Sequence, residues 1–232
     1  MEVKINDRII LKDFAQERAE KMTSLCSDSS YSEKKFLDLL TTFNRKEENI
    51  LKALDYAKGL DFSKNHLRSS YLSHPLRLAS YLLQTDPSIH ADYIVIALLH
   101  NVPETTEITA DELKKIFGER IAHGISTLVV DRAVPFDSIQ QPYYKAIFSA
   151  GTPLILIKLL DKIDNIFVLC LNADDEVRKN YTQEIREELL PFATKYNAGL
   201  GRYLDSLLLV TEELGYSATL KQQLTSYQQS LS

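Results

Sequence analysis

Apolar positions along most of the chain recur three and four residues apart, the spacing of one helix face. Asp13 stands as the cap of a first helix running to about Ser24. Ser32 begins a second, with Phe36, Leu37, Leu39 and Leu40 on its stripe. Asn44 reads as the cap of a third, which carries Ile50, Leu51, Leu54 and Ala57 and ends at Gly59. Residues 73–84 predict another. The run SIHADYIVIALLHNVPE is apolar almost all round and predicts one central buried helix. Thr109 and Glu112 form a capping box for ADELKKIF, Gly118 breaks that helix, and ERIAHGISTLVV continues as the next. Residues 137–150 read as helical despite Pro142. TPLILIKLLDKIDNIFVLCLNA is the second strongly apolar helix, with Pro153 near its first turn. Residues 174–196, 200–214 and 219–231 complete the pattern. Strand-like alternation occurs only at residues 3–11, read as a short extended arm.

Composition agrees with an all-α fold. Glycine and proline number seven each in 232 residues, too few for the turns of a many-stranded sheet. Hydrophobic residues at 44% and charged residues at 25% suit a soluble domain with a core large enough to need no disulfide. Cys26 and Cys170 lack metal-ligand spacing and read as small buried hydrophobes in a reducing compartment. The opening MEVKINDRII carries charges where a signal peptide needs an apolar core. The longest apolar stretch, residues 154–171, is interrupted by Lys158, Asp161, Lys162 and Asp164, too many charges for a bilayer span. A cytoplasmic protein is expected, with no membrane partner. The net charge of −5 and the lack of a basic run argue against nucleic acid, while a pocket for one small anion needs only a few local cations.

Two buried helices carry polar groups that a pure core would not hold. One ends in His100-Asn101 followed by Glu104, and the other has Asp161, Asp164 and Asn165 within its apolar run. Burying such groups unpaired costs several kcal/mol, so partners are expected. A third helix starts at Tyr71-Leu72-Ser73-His74-Pro75. Two histidines and an aspartate from separate helices can converge on one divalent cation. His100 and Glu104 are four residues apart, as are Asp161 and Asn165, so each pair should share a helix face. Taken singly, each residue also reads as a histidine satisfied by a carbonyl or an aspartate at a cap or in an ion pair. Asp164 is expected to face solvent or to cap a partner.

In this order and spacing, His74-Pro75, ALLHNVPETT (97–106), FGERIA (117–122) and IKLLDKIDN (157–165) resemble the hydrolase domain of RelA/SpoT alarmone enzymes and of the small stand-alone alarmone hydrolases. The resemblance covers about residues 44–196. It implies an all-α HD-domain helical bundle, here with extra N- and C-terminal helices. Residues 1–43 would form an N-terminal arm and helices, 44–196 the HD phosphohydrolase-like domain, and 197–232 C-terminal helices packed on it. The resemblance also implies a bound divalent metal, manganese in that family, and removal of the 3′-pyrophosphate from guanosine tetra- or pentaphosphate. By position, His74, His100, Asn101 and Asp161 would hold the metal and Glu104 would be the catalytic acid. Asn165 would contact the nucleotide, as would Tyr71, the aromatic residue before the ligand histidine.

The chain departs from the family pattern at three places. The aspartate that names the HD motif is Asn101, and the second acid of the catalytic pair is Thr105. The arginine-lysine pair that meets the substrate falls on Asn65 and His66, with Arg68 close by as a substitute nucleotide contact. An asparagine brings a carbonyl dipole where an aspartate brings full charge, so weaker metal binding is expected. The leading reading is therefore a metal-dependent nucleotide phosphohydrolase. Its alternatives are a catalytically impaired nucleotide-binding or regulatory HD protein and a helical interaction protein with a vestigial pocket. Homo-oligomer formation is left open.

Overall fold

In the computed structural model the described residues are 13–26, 29–62, 71–130 and 136–230. Among them every regular element is helical. The expected arm at residues 3–11 lies outside the described residues, as do Asn65, His66 and Arg68.

Helix α1 (Phe14–Ser24) is capped by Asp13, whose side chain accepts the Ala15 N–H at 2.8 Å. Helix α2 (Ser30–Thr42) begins two residues before the expected Ser32. Asn44 does not cap the next helix. It sits at φ 53°, with its N–H on the Thr41 carbonyl and the Arg45 N–H on the Leu40 carbonyl. That pair of bonds closes a helix C-terminus in a left-handed residue, which asparagine tolerates better than most. Helix α3 (Glu48–Lys58) starts after Glu47 and ends at Gly59 as expected.

Helix α4 (Ser73–Thr85) leads to α5 (Ala91–Leu99), where the single central helix read from the sequence is broken. His100 and Asn101 form a turn, and a one-turn helix α6 (Val102–Thr105) follows. Pro103 explains the break: it has no N–H for the Leu99 carbonyl, and its ring crowds the turn before it. His100 and Glu104 therefore do not lie on one continuous helix face.

The Thr109–Glu112 capping box opens α7 (Ala110–Phe117), and Gly118 at φ 89° separates it from α8 (Glu119–Leu128). Helix α9 (Phe136–Ala150) runs through Pro142. Helix α10 (Thr152–Ile166) is shorter than its apolar run, which continues as a turn and a 3₁₀ segment, Leu169–Leu171. Asp174 caps α11 (Asp175–Glu184) by accepting the Glu176 and Val177 N–H groups. A π-helical turn, Ile185–Leu189, then leads into α12 (Leu190–Tyr196). Pro191 cannot donate to the carbonyl four residues back, and the wider turn accommodates that missing bond. Helices α13 (Ala198–Leu214) and α14 (Ala218–Ser230) follow. No helix among the described residues is long and apolar enough to cross a membrane.

The chain divides into two compact units, Asp28–Lys158 and the combination of Met1–Ser27 with Leu159–Ser232. In the first, α5 packs against α3, α4 and α8, while α4 also packs on α2 and α9 on α8. Its core includes Leu76, Leu78, Leu82, Ile94, Ile96 and Leu98, all essentially inaccessible. Each such side chain contributes about 1.5–3 kcal/mol on burial. Gly124 lets α8 approach α5 closely, since a Cβ there would meet Ile96 Cδ1 at 2.5 Å.

In the second unit α13 packs on α11, α12 and the 3₁₀ turn, and that turn also meets α14. Phe14 meets Tyr203 edge-on, which seats α1 against α13. Cys170, Leu171 and Leu224 form an apolar cluster with Met22, Leu25 and Cys26 around it. Both cysteines are free thiols there, and burial raises the pKa of each.

Candidate metal centre

His74 lies in the first turn of α4, where Pro75 follows it without costing an intrahelical bond. Its ring is buried and stands 5.2 Å from that of His100, centroid to centroid. His100 closes α5 and is only 2% exposed. Its Nδ1 lies 2.8 Å from the Ala97 carbonyl. A carbonyl only accepts, so Nδ1 carries the proton and the lone pair sits on Nε2.

Asp161 is buried on α10. Asn165, one turn later, donates its Nδ2–H to Asp161 Oδ1 at 2.9 Å. One potential ligand atom from each of His74, His100 and Asp161 lies within 4.8 Å of the others. Two imidazoles and a carboxylate suit a borderline divalent cation. A histidine whose second nitrogen is committed to a carbonyl is the usual arrangement of a metal ligand. The donor set thus fits a divalent metal.

The other expected residues are placed differently. Asn101 donates its Nδ2–H to the Tyr71 hydroxyl at 2.7 Å. Tyr71 is buried between the rings of Phe62 and His74. Glu104 is half-buried, and its Oε1 accepts the Val130 N–H at 3.1 Å. Thr105 turns back on its own helix, donating its hydroxyl to the Asn101 carbonyl at 2.7 Å.

Of the two expectations for Asp164, solvent exposure fails and a partner is found. It is 0% exposed and forms an ion pair with Lys21 of α1. Three further residues interact around α10. Lys162 is buried against Glu184 of α11, Nζ to Oε2 2.6 Å, and its ammonium stands 4.1 Å from the centroid of the Tyr181 ring. Burial, and after it the charges of Asp161 and Glu184, hold the Tyr181 phenol well above its ordinary pKa, so it is neutral. The only signal for Tyr181 and Glu184 is their three-residue spacing, which puts them on one face of α11. Nothing local in the sequence links Lys21 to Asp164, 143 positions away.

No family model matches the chain. It is similar to the guanosine-3′,5′-bis(diphosphate) 3′-pyrophosphohydrolase of Aquifex aeolicus, with 30% identity over 159 residues, 67% of this chain and 22% of that protein. The protein of the same name from Haemophilus influenzae is 31% identical over 144 residues, 57% of this chain and 20% of its own length. The chain spans about a fifth of the length of these bacterial relatives. The pyrophosphohydrolase MESH1 of Danio rerio is 27% identical over 96 residues, 41% of this chain and 53% of that protein. Among solved structures, one described as a metazoan ortholog of SpoT that hydrolyzes ppGpp superposes with a TM-score of 0.57 at 21% identity, covering 71% of this chain and 96% of that one. That likeness shows the fold. The sequence relatives uphold the resemblance read from the motifs, to the HD-type RelA/SpoT hydrolase domain.

Proposed function

Taking its likeness to RelA/SpoT-type HD hydrolase domains as the starting point, we propose that this chain is a metal-dependent nucleotide phosphohydrolase. Its substrate would be guanosine tetra- or pentaphosphate, hydrolysed at the 3′-pyrophosphate. The observation that carries this reading is the buried group of His74, His100 and Asp161. Those three residues would hold the divalent ion, manganese by the family pattern, with the Asn101 side-chain oxygen as a neutral fourth donor. When bound, such an ion supplies Lewis acidity toward phosphate oxygens.

The remaining work falls to the chain itself. Glu104, steadied by the Val130 N–H, is half-buried and positions the attacking water or takes its proton. Tyr71 sets the Asn101 amide, Asn165 meets the nucleotide as the resemblance assigns it, and Arg68 substitutes for the family's cations that are Asn65 and His66 here. A cytoplasmic location goes with such a substrate.

One observation favours a second reading, a nucleotide-binding or regulatory protein with little turnover. Where the family has a second acid, the Thr105 hydroxyl is spent on the Asn101 carbonyl and can share no proton with Glu104. The test is a pyrophosphate-release assay on guanosine tetraphosphate with added manganese, beside a thermal-shift titration with the same nucleotide. Turnover supports the enzyme. A melting shift without turnover supports the binding protein. Neither result leaves the nucleotide assignment standing.

A further inference from the structure

We propose that Asn165 is a positioning residue for Asp161: its amide fixes the carboxylate. The inference rests on the metal reading of the site, and it gives Asn165 a task other than touching the nucleotide.

The Asn165 amide donates to Oδ1 of Asp161 at 2.9 Å, one turn along the same helix. One carboxylate oxygen is thereby engaged, which sets the plane in which the other can serve as a ligand. An amide can do this only in one orientation, because its carbonyl end would repel the carboxylate.

The helix that carries both residues is held beside them. Lys162, next to Asp161, is ion-paired with Glu184 of α11, and its ammonium lies 4.1 Å from the centroid of the Tyr181 ring, a cation–π contact. The π turn Ile185–Leu189 begins directly after Glu184. Such turns are frequent at functional sites. These contacts fix α10 against α11 beside Asp161, and partners that orient a ligating group are typically worth about 10–100-fold in metal affinity.

The test is calorimetric titration of the chelator-stripped full chain with manganese, no nucleotide present, for the wild type, Asn165→Ala and Asn165→Leu. Melting of each metal-free protein is recorded alongside. Both variants remove the amide donor and should weaken manganese binding by about 10–100-fold. Leucine keeps the side-chain size, so the metal-free melting temperature of Asn165→Leu should stay near that of the wild type. A residue that only contacts nucleotide would leave the metal titration unchanged. Wild-type affinity in both variants overturns this inference while the metal reading stands. Wild-type affinity in Asn165→Leu with loss in Asn165→Ala alone assigns the effect to packing and overturns it too. A wild type that takes no manganese overturns the metal reading and this inference with it.

Discussion

The Asn101 side chain donates its Nδ2–H to the Tyr71 hydroxyl at 2.7 Å. The phenol accepts from Asn101, and the amide oxygen is turned to the other side. An aspartate at position 101 could only accept, so Tyr71 would have to reverse its role and donate. A phenol can do so by rotating its hydrogen, and the pair therefore tolerates either residue without repacking.

This arrangement predicts the effect of Asn101→Asp on metal. The substitution keeps the side-chain size and adds one anionic oxygen beside His100. Manganese affinity should rise by about 10-fold or more, since ligand charge is a main determinant of divalent-ion affinity. The wild type should lose its metal on dialysis against chelator and the variant should retain more of it, as metal analysis after dialysis would show. Equal retention means that Asn101 is not a donor.

The buried pair of Lys21 and Asp164 is a separate test of how α1 is held. Lys21→Met leaves the Asp164 carboxylate buried without its cation, a change that typically costs about 3–5 kcal/mol. Replacing both partners, Lys21→Met with Asp164→Leu, should recover most of that loss. Urea denaturation of the three proteins measures it. A single variant as stable as the wild type would mean that the pair is not formed in solution.

The local helix caps are the most legible parts of the sequence, because each is written in nearby residues. Asp13 and the Thr109–Glu112 box sit where their spacing puts them. His74, His100 and Asp161 stood out as polar groups on apolar helices, which demanded a common partner. The break after Leu99 is not legible, because hydrophobicity continues through it while Pro103 withdraws a backbone donor. Asparagine suits both ends of a helix, and only the left-handed conformation of Asn44 makes it a stop. The partner of Asp164 is not legible because its lysine is contributed by α1, far away in the chain. Tyr181 is hidden for a similar reason: a tyrosine on a mostly polar helix carries no mark of the lysine its ring meets.

The capping box at α7 predicts a pH effect. Glu112 accepts the Thr109 N–H and hydroxyl, both at 2.8 Å, and these bonds, the backbone one first, lower its pKa from the ordinary 4.5. A carboxyl with a depressed folded pKa adds stability above its unfolded pKa and loses it as pH falls through the folded value. The melting difference between the wild type and Glu112→Gln should therefore be largest near neutral pH and shrink below about pH 4.5. A difference that stays constant from pH 7 to pH 3 would show that the carboxylate charge plays no part.

The last prediction separates metal binding from turnover. Thr105 donates its hydroxyl to the Asn101 carbonyl, so it braces α6 and offers no acid to the site. Thr105→Asp removes that donor, and a new carboxylate would be repelled by the same carbonyl. The side chain should swing away from the helix, where it can pair with Glu104 over a shared proton. A positioned acid or base is typically worth about 10²–10⁴-fold in rate. Asn101→Asp alone should then give tight manganese binding and feeble hydrolysis, because it restores charge at the metal and nothing at the proton. Asn101→Asp with Thr105→Asp should hydrolyse guanosine tetraphosphate clearly faster. Substrate affinity should stay poor even so, since Asn65 and His66 replace the cations that meet the substrate in the family. Manganese calorimetry and pyrophosphate release on the wild type and both variants decide the matter. If wild-type turnover already equals that of the double variant, Asn101 and Thr105 are working parts of a competent site of a different kind, and the impaired reading is wrong.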